Sequence, residues 1–315
     1  MTVVEARRLS RSFFPPGRRG RTRPIEAVRA ITFSVDAGER LAYIGPNGAG
    51  KSTSIKMLTG VLHPSSGEAQ VLGCVPWLQR KELVRRIGTL FGQRSQLWFE
   101  LTPRQTYSLL ASIYGIDHRT SSQRVDELGD LLEARELFDA PVRSLSLGQR
   151  MRCELTACVL HSPAVLFLDE PTIGLDLIAK QRFRDLVVRL NEQDGTTIFL
   201  TSHDVSDIEQ VARRVIVINH GTIIYDDSVS TMRRSLLNTK LIEVRFERSP
   251  GALEMDGVSV VKERGTGYKL VVDTRASSIR TVLDELLDRY HVADISVLDP
   301  PLEEVIGNIY EAPRT

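Results

Sequence analysis

At 315 residues, the chain is too long for one small domain and too short for two large ones joined by long linkers. Hydrophobic residues make up 42% and charged residues 26%, the usual soluble globular mix, which excludes a disordered, collagen-like or disulfide-stapled protein. Lys and Arg number 41 against 40 Asp and Glu, and the formal net charge of +1 argues against bulk nucleic acid as a partner. The three cysteines, Cys74, Cys153 and Cys158, have no zinc-ligand company and suggest a reducing compartment. No run of about 18 apolar residues occurs, so nothing is expected to span a bilayer. The opening MTVVEARRLSRSFF lacks the apolar core of a signal peptide, so a cytosolic chain is expected.

Residues 15–24 (PPGRRGRTRP), with Arg18, Arg19, Arg21 and Arg23, read as an exposed, solvated loop. Apolar runs at 40–44, 165–168, 197–201 and 214–219 are short, rich in Val, Ile and Leu, and continuous rather than alternating. Strands buried on both faces of a parallel sheet read this way. Residues from about 94 to 160 read mostly as helix (103–114, 123–133 and 147–161), an all-α insert between strands. Cys153 and Cys158 lie five apart on the last of these and do not share a face, so they read as buried small hydrophobes. Strand signals stop near 226–238, and a new unit follows. It carries strands at 241–247, 258–262 and 268–273, and a helix with Ile279, Val282, Leu283, Leu286 and Leu287 on one face. A strand near 294–297 and a last helix with Val305, Ile306 and Ile309 complete a small α+β unit, ferredoxin-like in expectation, with no catalytic constellation.

Residues Gly45-Pro46-Asn47-Gly48-Ala49-Gly50-Lys51-Ser52-Thr53 fit G-x-x-x-x-G-K-[ST] between a strand (41–44) and a helix (52–58). Glycines let the backbone wrap around phosphates with its N–H groups inward, at the positive end of the following helix. Lys51 is then expected to reach the β- and γ-phosphates and Ser52 to ligate Mg²⁺. The bland alternative, a glycine-rich turn, explains neither the lysine nor the strand–helix context. The strand Val165-Leu166-Phe167-Leu168 ends in Asp169-Glu170. It is expected beside the phosphate-loop strand, with Asp169 in the Mg²⁺ shell and Glu170 polarising the attacking water.

With Leu145-Ser146-Leu147-Gly148-Gln149, LDEPTIGLD at 168–176 and Thr201-Ser202-His203-Asp204, the chain over roughly residues 4–235 resembles the ATP-binding cassette (ABC) ATPases. The resemblance implies an α/β fold: a P-loop core with a mostly parallel sheet, a helical subdomain at about 94–160 and an N-terminal antiparallel β part. The ATPase domain is expected over 1–235, and the small C-terminal α+β domain at 240–315 resembles the C-terminal extension of ABC-2-group exporter cassettes, which implies a role in dimerisation or regulation. The family's signature is usually Leu-Ser-Gly-Gly-Gln, and here Leu147 replaces the first glycine, while Ser146 and Gly148, the expected γ-phosphate contacts, and Gln149 are kept. Two cassettes pair head to tail in this family, each signature closing over the partner's ATP, so a second chain is implied, as a homodimer or a related cassette.

Carried over residue by residue, Gln93 matches the glutamine that touches Mg²⁺ and senses the membrane partner, with Gln96 the alternative. Asp176 matches the interface aspartate and His203 the switch histidine at the γ-phosphate. Phe13 matches the aromatic that stacks on adenine, with Phe14 the alternative. Trp98 and Phe99 fall where family cassettes receive a permease helix, and core packing is the rival reading. The stretch FGQRSQLWFELTPRQTYSLLASIYG and the late PPLEEVI resemble ABC-2-type exporters. The implied function is ATP hydrolysis at the cytosolic face of the cell membrane, driving a separately encoded permease in export. An importer cassette and a soluble ABC ATPase are the alternatives.

Overall fold

A computed structural model describes residues 1–14, 24–91, 95–235, 239–251 and 253–298, and the side chains of 234 and 235 lie outside that description. The chain divides into two compact units, Met1–Asp227 and Ser228–Thr315.

In the first unit, β1 (Thr2–Phe13) and β2 (Ile25–Asp36) lead into β3 (Arg40–Ile44), α1 (Lys51–Leu58), β4 (Ser66–Val71), the short α2 (Arg80–Leu83) and β5 (Ile87–Phe91). Helices α3 (Pro103–Tyr114), α4 (His118–Leu131) and α5 (Leu147–Val159) intervene before β6 (Val165–Asp169). Then come α6 (Leu177–Asp194), β7 (Thr197–Thr201), α7 (Val205–Val211), β8 (Arg214–Asn219) and β9 (Thr222–Ser228).

The main sheet runs β5-β6-β7-β3-β8-β9, and β1 forms a second, antiparallel sheet between β2 and β4. Pairings β5–β6, β6–β7, β7–β3 and β3–β8 are parallel. Every residue of β3 and β7 is buried, as their continuous apolar runs require. Successive side chains go to opposite faces. Leu166, Leu168, Ile198 and Leu200 join Tyr107, Leu128 and Phe138 in the helical core. Phe167, Phe199 and Tyr43 face the other way, onto Ile55 of α1 and Phe33 of the antiparallel sheet.

Three expectations need correction. The Asp169 strand does not lie beside the phosphate-loop strand: β7 stands between β3 and β6. Its apolar run is as continuous as theirs, and hydrophobicity alone does not order equally apolar strands. The middle helix begins at His118 rather than 123, because Asp117 caps it by accepting from the Thr120 N–H at 3.0 Å. Third, Leu287 is 55% exposed and lies off the buried face of its helix.

The second unit has α8 (Val229–Ser235), β10 (Thr239–Phe246), β11 (Val258–Arg264), β12 (Gly267–Asp273), α9 (Ile279–Arg289) and β13 (Val292–Leu298). Its antiparallel sheet runs β11-β12-β10-β13, the strand order of a ferredoxin-like fold. The described residues between β10 and β11 are not helical, so the first of that fold's two crossover helices is missing among them. Val282 and Leu286 of α9 pack on Ile242, Val244 and Leu270. The arginines of 15–23, Gln93, the last predicted helix and PPLEEVI lie outside the described residues. All three cysteines are free and buried, and burial pushes the Cys153 thiol up to about 11.

Candidate nucleotide site

The C-terminal ends of β3, β6 and β7 align at one edge of the sheet, with Asp169 in register with Thr201. Open parallel sheets place ligands at this edge. After β3, the chain turns through a loop that only glycine can form at two positions. A Cβ on Gly45 would lie 2.1 Å from the Ile218 carbonyl oxygen. Gly50, at φ 111°, would bring a Cβ to 2.4 Å from that of Ala27. Asn47 and Gly48 form the exposed tip, between half-buried Pro46 and buried Ala49. Gly50 is the N-cap of α1 and offers no side-chain acceptor, so the first N–H groups of the helix are left for a ligand.

Lys51 is 5% exposed, and its Nζ donates to the carbonyl oxygens of Gly45 at 2.8 Å and Pro46 at 3.3 Å. Burial pushes its ammonium below the ordinary lysine range, against the pull of the Glu170 and Asp169 carboxylates. Nζ lies 3.7 Å from Glu170 Oε1 and 3.3 Å from His203 Nε2. Glu170 Oε1 and His203 Nε2 are themselves 2.6 Å apart.

Asp169 Oδ1 accepts from Ser52 Oγ at 3.2 Å and from Thr201 Oγ1 at 2.7 Å. Glu170 sits at φ 53°, a conformation that costs a non-glycine residue energy and concentrates at functional sites. Its N–H donates to the Thr201 carbonyl at 3.0 Å, which holds it there. Thr201 has no expected role from its motif alone. The structure makes it the brace between β6 and β7.

A second cluster forms at the start of α5. Ser146 and Gln149 make a reciprocal capping box: Ser146 Oγ accepts from the Gln149 N–H at 3.3 Å, and Gln149 Oε1 from the Ser146 N–H at 2.9 Å. Asp176 caps α6 by accepting from the Ala179 N–H at 2.8 Å. Ser146, Gly148, Gln149 and Asp176 line one open cleft with Arg152 and Arg182. Leu147, the departure from the usual signature, lies over Gly174, where a Cβ would meet its Cδ2 at 2.3 Å.

Thr53 sits half-buried in the first turn of α1. Phe13 ends β1, 38% exposed, with the Arg11 guanidinium 4.9 Å above its ring, and Phe14 is 75% exposed. Gln96 is engaged by residues of β5 and α5. Its side-chain amide donates to the Thr89 carbonyl, and its N–H donates to buried Glu154 at 2.9 Å.

The family model described as "ABC transporter" matches residues 28–173. The Nod factor export ATP-binding protein I of Burkholderia thailandensis is 33% identical over 221 residues, 69% of this chain and 71% of that protein. The chain belongs to the ABC transporter ATP-binding family. A second relative of this ABC cassette is the bacitracin transport ATP-binding protein BcrA of Bacillus licheniformis. It is 29% identical over 284 residues, 85% of the cassette and 92% of the relative. A solved structure of the ATP-binding subunit of an ABC transporter shares the fold at TM-score 0.66 and 24% identity, covering 74% of the cassette and 92% of that chain. Among the described residues of the cassette, no helix is long and apolar enough to cross a membrane.

Proposed function

We propose that this cassette binds and hydrolyses ATP at the cytosolic face of the cell membrane and drives a separate ABC-2-like permease in export. The observation that carries the reading is the convergence of Lys51, Glu170 and His203 within 3.7 Å of one another, beside Asp169, at the edge where a phosphate loop opens a helix. Backbone N–H groups of the loop tip and of the first turn of α1 cradle the phosphates, and Lys51 neutralises the β- and γ-oxygens. Phe13 stacks on adenine.

Ser52 Oγ and Asp169 Oδ1, 3.2 Å apart, are hard oxygen donors of the kind that hold Mg²⁺ together with substrate phosphates. They fit that ion, and Gln93 is assigned beside them from its place in the motif. Bound Mg²⁺ supplies charge neutralisation on the phosphate oxygens. Glu170 accepts a hydrogen bond from the attacking water and orients it in line with the γ-phosphorus. His203, paired to Glu170, holds a γ-oxygen as charge develops.

The signature residues Ser146, Gly148 and Gln149, with Asp176, are assigned to a partner cassette's ATP, most simply that of a second copy. Exposed Leu147, Ile173, Leu177 and Ile178 around that cleft support an interface there. Trp98 and Phe99, 44% and 49% exposed, are assigned as the anchor for a permease helix, with Arg150 5.5 Å over the Phe99 ring. The name of the Nod factor relative, which concerns export, supports the direction. The C-terminal unit is assigned an accessory role in pairing or regulation.

The test is the mass of the Glu170→Gln variant in solution and in its transporter. ATP is expected to double it, and Lys51→Ala added to that variant to abolish the doubling. A variant that stays monomeric with ATP even with the permease present contradicts the paired arrangement.

A further inference from the structure

Behind the site lies a buried polar cluster to which none of these roles extends. Asp207 of α7 is completely buried, and Arg184 of α6 is 3% exposed. Arg184 Nε donates to Asp207 Oδ1 at 2.7 Å. The other oxygen, Oδ2, accepts from two hydroxyls at once: Thr172 Oγ1 at 2.6 Å and Ser202 Oγ at 2.7 Å. Thr172 stands two residues after Glu170, and Ser202 immediately precedes His203. One carboxylate oxygen therefore ties together the two loops that present Glu170 and His203.

The rest of the switch loop is held in the same way. The Asp204 N–H donates to Ser202 Oγ at 3.0 Å, and Lys180 Nζ donates to Asp204 Oδ2 at 2.6 Å. The backbone is thus anchored on both sides of His203, while the His203 ring stays 42% exposed and faces Glu170. Arg184 also reaches Asp204 Oδ1 at 3.5 Å, so both acids of the cluster share one guanidinium.

A buried ion pair is weak as a stabilising device, since its desolvation offsets most of the attraction. Nor does stability alone call for two hydroxyls from separate loops on one oxygen. We infer that Asp207 is a positioning residue: through Thr172 and Ser202 it sets the spacing between Glu170 and His203. The inference rests on the proposed hydrolysis, in which that spacing decides how well the attacking water and the γ-phosphate are held. Displacement of a reacting group by about 1 Å is enough to lower a rate by up to about a hundredfold.

Replacing Asp207 itself would leave Arg184 buried without its main partner and threatens folding. The hydroxyls are safer probes. Thr172→Val, Ser202→Ala and their double variant are compared with Thr172→Ser, which restores the hydroxyl, in the full-length chain with its permease. Wild type and Glu170→Gln run alongside. If wild type turns ATP over and Glu170→Gln does not, the hydrolysis reading stands, and the other variants judge the positioning role.

Thr172→Val and Ser202→Ala are each expected to lower kcat about tenfold or more, with KM for ATP within about twofold. Thr172→Ser is expected to match wild type. Amide hydrogen exchange is expected to rise over 170–176 and 202–204 in the double variant, with global unfolding unchanged. Wild-type kcat in the folded double variant would overturn the inference. So would a Thr172→Ser variant as slow as Thr172→Val, which would assign the effect to packing of the threonine methyl.

Discussion

Glu170 Oε1 lies 2.6 Å from His203 Nε2, and the two side chains come from the ends of strands that are direct neighbours in the sheet. Groups held this closely act as a unit, and their losses do not add. Glu170→Gln and His203→Ala are each expected to remove most ATP turnover. The double variant is expected to fall no further than the worse single one, with ATP affinity changed no more than a few-fold. Steady-state kcat and equilibrium ATP binding measure this, and additive losses would mean that the contact has no catalytic meaning.

Leu147 and Gly174 form a second coupled pair. Gly174 sits at φ 78°, and a Cβ there would meet Leu147 Cδ2 at 2.3 Å. Gly174→Ala is expected to cost about 1–2 kcal/mol from the left-handed backbone alone, plus displacement of the leucine. Leu147→Ala is expected to relieve the second part, so that the double variant is more stable than the sum of the two losses. Denaturant melts of the four proteins read this directly.

The capping box at Ser146 is worth a measurable amount apart from any contact with nucleotide. Ser146→Ala is expected to destabilise α5 by about 1 kcal/mol, the usual loss of an N-cap. Because Gln149 returns the hydrogen bond, Ser146→Ala and Gln149→Ala are expected to couple in a double-mutant cycle. Independent losses would show that the two hydrogen bonds act separately rather than as a coupled box.

His161 gives the stability a pH dependence. Its ring stacks on Tyr114 with centroids 4.0 Å apart, and its Nε2 lies 3.0 Å from the Ile87 carbonyl oxygen. Burial lowers its pKa below the ordinary 6.5, despite that hydrogen bond. The unfolded chain then takes up the proton first as pH falls. The contribution of His161 is complete above about 6.5 and is lost as pH drops towards the lowered folded value. His161→Phe keeps a ring on Tyr114 but does not titrate. Its melting temperature is expected to fall less than that of wild type between pH 7.5 and 5.5. Parallel curves would exclude His161 as the group responsible.

The sequence carried the parallel strands clearly, because β3, β7 and β8 are buried on both faces and spell unbroken apolar runs. Strands β1 and β2 were far less legible. Apolar residues at Val4, Ala6 and Leu9 change phase at Arg8, which stands at φ 48°, and the pairing register shifts there. Such a bulge reverses which residues face the core, so no single alternation runs through the strand. Strand order was not written in composition either, and β7 between β3 and β6 emerged only from the fold. At the site, Lys51, Ser52, Asp169, Glu170 and His203 were all readable from local motifs, and the fold brings them together. The Asp207–Arg184 pair was not, since its partners come from α6, α7 and two loops far apart in sequence. Its one local signal is a charged Arg184 between Phe183 and Leu186 on the buried side of α6.

In the proposed function, the site centred on Lys51 and Glu170 powers a membrane partner. ATP turnover in membranes that hold the chain with its permease, compared with the chain alone and with Glu170→Gln, tests it most directly. Turnover that requires the permease and disappears in Glu170→Gln is the expected result. Equal turnover with and without any membrane partner, or turnover unaffected by Glu170→Gln, would contradict it.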